Sequence, residues 1–305
     1  MFFIGIDVSK AKLDCSLLLE VARSKRRAKT VANSKAGITD LLAWCTKQQV
    51  ANHELHAILE GTGVYHEQAA SALTEAGVTV SIVNPAQVKD FGRSLGIRTK
   101  TDGVDSLILA RYGALLNPRP WQPPSREARI LQALLSRREA IAQDLQRERN
   151  RLEKADATET CQLIHQSLTD SIAFLETQLA KLQQDIDDHI QQHPGLKDDR
   201  ELLTSIPAVG PQVGNHLLSI MHNHRFQSAE QLAAYLGLVP VERQSGTSIL
   251  GRPRLSKAGP ARIRAILFMA AVVGTRHNPH LKDLYQRLQE RGKTKMSALG
   301  AVMRK

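Results

Sequence analysis

Four acidic residues in the first part of the chain lie where a folded protein can bring carboxylates together. Asp7 and Glu60 end two apolar, strand-like runs, "FFIGID" and "LHAILE", each directly before a turn. Asp102 and Asp105 are three residues apart in the helical pattern "TDGVDSLILARY", and this spacing puts both on one helix face. Crowded carboxylates repel one another, and a hard divalent cation with oxygen ligands relieves the repulsion. We therefore predict that the four acids converge and bind Mg²⁺.

Each of these acids also has an ordinary structural explanation. A carboxylate at a helix start, such as Asp102, interacts favourably with the helix dipole whatever the function, and Asp7 can serve only to shape a hairpin turn. The order Asp, Glu, Asp, Asp over a hairpin, a later strand and a helix start is the more specific feature.

A second group of chemically useful residues lies in "VERQSGTSILGRPRLSKAG", residues 241–259. Ser245 and Ser248 lie on either side of Gly246, which permits close approach of the backbone to a substrate. The cations that follow are Arg252, Arg254 and Lys257. A serine hydroxyl is a weak nucleophile until a base or a metal activates it, and this stretch contains no histidine and a single acid. We predict a flexible, positive loop in which Ser245 is either a turn residue or a nucleophile activated from elsewhere.

The positive charge of the chain is concentrated near its carboxyl-terminal end. The 305 residues carry a formal net charge of +11, and residues 241–305 alone hold 14 lysines and arginines against three acids. A one-sided excess is typical of a polyanion-binding surface, because cationic contacts to phosphates release counterions. The alternative is a solvated basic face. Aromatic residues make up only 4% of the chain, so we expect contacts to the nucleic-acid backbone rather than base stacking.

The remaining composition indicates a globular protein away from membranes. The longest strongly apolar run, "AILFMAAVVG", has about half the length that crosses a bilayer, and no basic leader opens the sequence. We therefore predict a cytoplasmic protein without membrane contact. The three cysteines form no C-x-x-C pair, which argues against a disulfide framework or a zinc site.

Three regions are predicted along the chain. Residues 1–124 alternate strand-like and helical segments, beginning with a hairpin of "FFIGID" and "KLDCSLLL" and ending at the proline-rich "NPRPWQPP". This alternation indicates an α/β domain. Residues 125–195 are predicted to form a helical arm, and residues 196–305 a mainly helical domain.

The predicted arm carries a heptad pattern. Its apolar seam consists of Leu168, Ile172, Leu175, Leu179, Leu182, Ile186 and Ile190. Spacings of mainly four and three are typical of a coiled coil. An earlier apolar pattern between Leu131 and Leu152 can form the other half of a helical hairpin. The arm is therefore either an antiparallel pair within one chain or a dimerisation element.

The third region opens with two apolar helical segments around the turn "IPAVGPQVG". Gly210 and Gly214 bracket this turn, which resembles a helix-hairpin-helix motif whose amides face a DNA phosphate. Such motifs usually carry Pro-Gly where this chain has Pro207 and Ala208. An ordinary helical turn is the alternative.

The order of the four acids resembles that in proteins of the ribonuclease H-like fold, specifically in the Holliday-junction-resolvase (RuvC-like) branch. The hairpin "GIDVSKAKLD" also resembles the sugar-kinase and actin-like ATPases, but those need further glycine-rich loops and a second such domain, and this sequence shows no second copy. A DEDD domain, a coiled-coil arm and a domain with "SIPAVG", "YLGLVP" and "SGTS" together resemble the bridge-RNA-guided insertion-sequence transposases, which are related to Piv-type DNA invertases. The resemblance covers essentially the whole chain.

This resemblance implies a function and a set of partners. Asp7, Glu60, Asp102 and Asp105 correspond to the family's metal-binding acids, and Ser245 to its nucleophile. The implied reaction is Mg²⁺-dependent exchange of donor and target DNA strands through a phosphoserine intermediate, with the DNA chosen by a guide (bridge) RNA. The implied assembly is a homodimer that pairs into a tetramer, with active sites shared between subunits, in the bacterial cytoplasm at the nucleoid. The residues expected to contact nucleic acid are Arg252, Arg254, Lys257, Arg262, Gly210 and Gly214.

Two other functions remain open from the residues alone. A resolvase-like, structure-specific DNA endonuclease would use the same acids with metal-activated water and would not need Ser245. A non-catalytic nucleic-acid-binding scaffold would need neither the acids nor the serine.

Overall fold

The computed structural model describes residues 1–20, 25–61, 63, 65–97, 99, 101–158, 161–245 and 249–305. These residues form two compact units, residues 1–123 and residues 124–305. The boundary falls in the proline-rich segment. The arm and the region after it lie together in the second unit.

The first unit is built on a five-stranded mixed sheet. Its elements are β1 (Phe2–Val8), β2 (Lys12–Glu20), β3 (Lys25–Ala32), α1 (Lys35–Lys47), β4 (Leu55–Glu60), α2 (Tyr65–Glu75), β5 (Thr79–Val83), α3 (Pro85–Ser94) and α4 (Asp102–Leu116). The strand order is β3-β2-β1-β4-β5, with β2 antiparallel to β1 and β3, and with β4 parallel to both β1 and β5. This is the ribonuclease H-like α/β architecture that the sequence predicts, including the hairpin of β1 and β2.

Apolar side chains cover both faces of the sheet. On one face, Leu41 of α1 and Leu73 of α2 share a buried cluster with Leu59 of β4. On the other face, Ile58 shares a cluster with Leu109 of α4 and with residues of α3. Neighbouring residues of β4 face opposite helical layers because side chains alternate along a strand. Asp7 and Glu60 follow the same alternation and fall on the face that α4 covers.

The edge strand β3 is an element that the sequence analysis missed. Its sequence, "KRRAKTVA", is rich in cations and has a single fully buried side chain, Val31. An edge strand has a neighbour on one side only, and charged residues there discourage pairing with other chains. This strand is therefore defined by its antiparallel pairing with β2, and not by an apolar pattern in its sequence.

Helix α4 lies unusually close to β1. A Cβ atom on Gly5 would lie 1.9 Å from the Ser106 carbonyl oxygen and 2.4 Å from the Ala110 nitrogen. Farther along the helix, a Cβ on Gly113 would lie 3.0 Å from Cδ1 of Phe3, which precedes Gly5 in β1. The helix therefore runs opposite to β1, and its first turn lies over the end of that strand.

The second unit is mainly helical. Its elements are α5 (Arg126–Ala157), α6 (Gln162–Gln192), α7 (Pro194–Thr204), α8 (Pro211–Asn223), α9 (Ala229–Tyr235), β6 (Pro240–Ser245), β7 (Ile249–Leu255), α10 (Ala261–His277), α11 (Pro279–Glu290) and α12 (Lys295–Arg304). The two longest helices, α5 and α6, pack against each other as an antiparallel hairpin, as the ion pair between Arg149 and Glu176 and the hydrogen bond from Arg138 to Gln183 show.

The turn between α7 and α8 contains a non-glycine residue in a left-handed backbone conformation. Ala208 adopts a φ of +83°, a backbone conformation that favours glycine. Gly210 caps the start of α8, and Gly214 is buried one turn later, where a Cβ would lie 3.0 Å from Cγ2 of Thr204. The small residue at position 214 thus lets the two helices approach.

The expectation of a flexible loop around Ser245 is wrong for the described residues. Strands β6 and β7 form an antiparallel hairpin in which Ser245 pairs with Ile249. Val241 pairs with Arg254 near the other end of the hairpin. The pairing of backbone groups stabilises this segment despite its glycine, proline and serine content. Gly246 and Ser248 lie outside the described residues.

The whole of the long apolar run near the carboxyl end lies in α10. Ala271 and Gly274 are buried there, whereas Met269 and Val273 are 59% and 42% exposed. Across the described ranges, none of the helices combines the length and apolar character needed to span a bilayer.

A partly buried charge cluster joins α5, α8 and α10. Oε1 of Glu139 lies 2.9 Å from Nε of Arg262 and 3.1 Å from Nε2 of His216. Burial, followed by the charges of Arg262 and Arg138, lowers the pKa of His216 to about 4. The imidazole is therefore neutral at pH 7, and Arg262 balances the carboxylate of Glu139.

We expect replacement of Gly5 by alanine to destabilise the first unit by about 3 kcal/mol or more, because its Cβ would meet backbone atoms of α4 rather than a movable side chain. Urea unfolding followed by the fluorescence of Trp44 and Trp121, both in this unit, measures the effect. Gly103→Ala is the matched control, since a Cβ there meets nothing within 4 Å. Equal stability of G5A and G103A would contradict the close approach.

We expect His216 to make the second unit acid-sensitive. Because the folded pKa of about 4 lies below the unfolded value of 6.5, the unfolded chain takes up a proton first as the pH falls. Stability is therefore lost progressively below pH 6.5, by about 1 kcal/mol between pH 7.5 and 5.5. Urea unfolding followed by far-ultraviolet circular dichroism measures it. His216→Gln should remove this part of the pH dependence, and an unchanged slope would refute the assignment.

Candidate active site

The first two acids lie at neighbouring strand ends. The parallel register of β1 and β4 pairs Ile6 with Leu59, so Asp7 and Glu60 are the next residues of the two adjacent strands. Both are half-buried. The register of the sheet, rather than any feature of the acids themselves, brings these two positions to one place.

The other two acids lie in the first turn of α4. Thr101 caps this helix, with its hydroxyl accepting a hydrogen bond from the Val104 amide. Asp102 is exposed and Asp105 is half-buried. The contact between α4 and β1 at Gly5 holds this turn beside the end of β1.

The electrostatics of Asp7 show which carboxylates lie close to it. Burial is the main cause that raises the pKa of Asp7, and the negative charges of Asp102, Asp105 and Asp14 raise it further. Three of the four predicted acids are therefore gathered within interaction range. Glu60 ends the strand beside them.

Asp14 is a fifth acid of this cluster that the sequence analysis missed. It lies directly opposite Asp7 in the antiparallel register of β1 and β2. The Thr30 hydroxyl of β3 donates a 2.6 Å hydrogen bond to its Oδ1. The signal that finds Asp14 is the hairpin itself, because counting residues outward from the turn pairs position 7 with position 14.

A lysine lies between two of these carboxylates. Nζ of Lys12 is 2.7 Å from Oδ2 of Asp102 and 2.9 Å from Oδ2 of Asp14. Its hydrogen bonds to Asp102 and then Asp14 raise the lysine pKa above its usual range. The ammonium thus neutralises part of the negative charge of the cluster.

A buried polar network supports the first turn of α4 from below. The Ser16 and Ser106 hydroxyls are hydrogen-bonded at 2.8 Å, and both side chains are buried. Arg26 of β3 donates to Ser16 and to the Gly103 carbonyl oxygen. These contacts link β2, β3 and α4 beneath the acidic cluster.

The donor set fits a hard divalent cation by its chemistry. All the candidate ligands are carboxylate oxygens, which Mg²⁺ and similar ions prefer, and burial first and the charges of neighbouring carboxylates second raise the pKa of Asp7. Within the part of the chain that the structure describes, however, no three carboxylate, imidazole or thiol groups are arranged to hold an ion. Cation binding would thus require side chains of the cluster to reorient.

The predicted nucleophile and cations belong to the second unit. Ser245 is the last residue of β6, and its side chain lies outside what the structure describes, as does that of Arg252. Arg254 and Lys257 are exposed. Arg262 differs from them, because Glu139 engages its guanidinium and its side chain is 39% exposed. Arg254 and Lys257 are therefore the more accessible of these cations.

Comparison with known proteins finds transposases over most of the chain. A DEDD transposase model of IS110 proteins matches residues 4–155, and a model described as "Transposase IS116/IS110/IS902 family" matches residues 200–286. The pilin gene-inverting proteins of Moraxella bovis and Moraxella lacunata are each 36% identical to the chain over 305 residues, covering 99% of the chain and 92% of each relative.

More distant similarities cover shorter parts of the chain. An uncharacterized 43.6 kDa protein of insertion element IS110 from Streptomyces coelicolor is 31% identical over 143 residues, 47% of this chain and 34% of the relative. Thermus thermophilus RuvC in complex with a Holliday junction substrate covers 40% of this chain and all of its own, at 17% identity and a TM-score of 0.29. The two family models and the nearly full-length similarity to the inverting proteins together establish that the chain belongs to the IS110 family of transposases.

Proposed function

We propose that this protein is a DNA recombinase of a bacterial insertion sequence that cuts and rejoins strands by Mg²⁺-dependent transesterification. The observation that carries the proposal is the gathering of Asp7, Asp102 and Asp105 at the end of β1, in a chain of a transposase family. Glu60 is the fourth acid, placed beside them by the register of β4.

The proposed role of the acids is to hold the metal at the scissile phosphate. These acids would hold a divalent cation there, and such an ion would polarise the phosphate and stabilise the leaving oxygen. Asp7 and Glu60 project from the sheet, whereas Asp102 and Asp105 project from the helix, so the ligands come from two elements. The backbones of the sheet and of the helix are both rigid, which favours a site whose geometry changes little during the reaction.

Ser245 is the proposed nucleophile. Its Oγ attacks the phosphorus, the bond from phosphorus to the leaving strand oxygen breaks, and that oxygen takes up the proton as a free hydroxyl. The hydroxyl of a second DNA then displaces the serine, which restores a phosphodiester. Arg252, Arg254 and Lys257 lie in or just after β7, and cations there can neutralise charge on the pentavalent phosphorus.

The proposed partners are donor DNA, target DNA and a guide (bridge) RNA, which selects the DNA by base pairing. The 14 lysines and arginines of residues 241–305 suit backbone phosphates, and Gly210 and Gly214 place the start of α8 for a further phosphate contact. The helical arm, α5 and α6, is the proposed dimerisation element in a dimer that pairs into a tetramer. The proposed location is the bacterial nucleoid.

We expect Asp105→Asn to reduce Mg²⁺-dependent strand cleavage roughly a hundredfold or more, because changes even in the outer shell of a metal site cost about 10 to 100-fold. Cleavage of end-labelled DNA by the full-length protein, with guide RNA supplied, measures the effect. Asp90→Asn is the control, since Asp90 is an exposed acid of α3 paired with Arg93. Full activity of D105N would refute the role of the acids.

We expect Ser245→Ala to abolish a covalent protein–DNA adduct that the wild-type protein forms, because no other group replaces the attacking hydroxyl. A denaturing gel of protein, guide RNA, Mg²⁺ and labelled DNA detects the adduct, and Ser248→Ala is the matched control. Strand cleavage by S245A without an adduct would instead identify a resolvase-like endonuclease that uses metal-activated water. An adduct retained in S245A and lost in S248A would move the nucleophile to the second serine.

A further inference from the structure

We infer that Lys12 is an internal counter-ion that occupies Asp102 in the metal-free protein and must release it when a divalent cation binds. This inference rests on the proposed function, since it takes the acidic cluster as the metal site. Binding of a divalent cation is then an exchange, in which the ammonium of Lys12 leaves Asp102 as the cation arrives.

The position of the ammonium supports the exchange. Nζ of Lys12 contacts carboxylates of two elements, Asp102 of α4 and Asp14 of β2. Both contacts are shorter than 3.0 Å, so the ammonium engages Oδ2 of Asp102, an oxygen proposed to bind the ion. The positive charges of the ammonium and of a divalent cation therefore compete for this oxygen.

The pairing also fixes where the Asp102 side chain points. Its Oδ2 is directed at Lys12 at 2.7 Å, towards β2. Asp7, on the neighbouring strand, lies directly opposite Asp14, the other carboxylate that Lys12 contacts. Because Asp102 is exposed, rotation about its side-chain bonds can turn Oδ2 from Lys12 towards an ion shared with Asp7.

The ion pair is suited to being broken. The Lys12 and Asp102 side chains are 48% and 57% exposed, and water screens such pairs so strongly that they contribute little to stability. A divalent cation that gains several carboxylates at once therefore competes well with the single charge of a lysine. The released ammonium returns to water at small cost, because the lysine stem is long and flexible.

The exchange lowers the affinity of the site for metal, and this consequence is measurable. Removing Lys12 removes both a competitor for Asp102 and a positive charge close to the incoming ion. Lys12→Met, which keeps the length of the side chain, is expected to bind Mn²⁺ roughly tenfold more tightly, as Coulomb's law gives for a unit charge within a few ångströms of a divalent ion in water. Lys12→Arg, which keeps the charge, should bind like the wild type.

The test is a titration of full-length, nucleic-acid-free protein with Mn²⁺, with the unbound ion measured by electron paramagnetic resonance. Lys10→Met is the matched control, because Lys10 is an exposed lysine of the same turn with no ion pair among the described residues. It removes the same net charge without removing the contact with Asp102. Tighter binding by K12M than by K10M, with K12R unchanged, is the expected result.

Other results overturn the inference in distinguishable ways. If the wild type binds Mn²⁺, D105N weakens binding and K12M matches K10M, the metal site stands and Lys12 is not its counter-ion. Weaker binding by K12M would show that Lys12 holds Asp102 ready for the ion instead. If the wild type binds no Mn²⁺ at this cluster, the metal site and the inference fail together.

Discussion

The absence of a side chain at Gly5 is the constraint on which the candidate site depends. The Ser106 carbonyl of α4 lies where a Cβ of β1 would otherwise be, so helix and strand meet backbone to backbone. Such contact leaves little freedom to slide or tilt, and the buried hydroxyl pair of Ser16 and Ser106 fixes it further. The first turn of α4 is therefore held over the end of β1, and its two aspartates are placed beside Asp7 by the packing of the main chain.

This placement has an electrostatic cost that the fold must offset. Carboxylates brought together and partly buried disfavour their own ionisation, as the raised pKa of Asp7 shows. Lys12 offsets part of the cost in the protein by pairing with Asp14 and Asp102, and a divalent cation would offset more of it. Charge balance therefore links the folding of the unit to its proposed chemistry. The negative charges that repel one another in the folded unit are the charges that would attract a metal ion.

Much of the first unit could be predicted from the sequence, because apolar strands ending in acids and an i, i+3 pair are local signals. Asp14 and Lys12 could not be found in that way, since their importance depends on the register across the hairpin and on α4 lying above it. Strand β3 was missed because an edge strand needs few apolar residues. Ser245 was identified from a family resemblance rather than a physical signal, and a loop was expected there because backbone pairing between β6 and β7 leaves no apolar pattern to recognise.

The two compact units supply different chemical groups to the proposed reaction. The acids belong to residues 1–123, whereas Ser245 and the basic segment of residues 241–305 belong to the second unit. A carboxylate cluster repels the phosphate that it must act on, so binding of substrate depends on cations outside that cluster, of which residues 241–305 hold 14. The basic segment, for its part, holds three acids, Glu242, Asp283 and Glu290, which are widely separated along the sequence. Strand cleavage through Ser245, as proposed, would therefore need the acids of residues 1–123 as well as the serine, and this dependence would restrain cleavage of DNA bound by the basic segment alone.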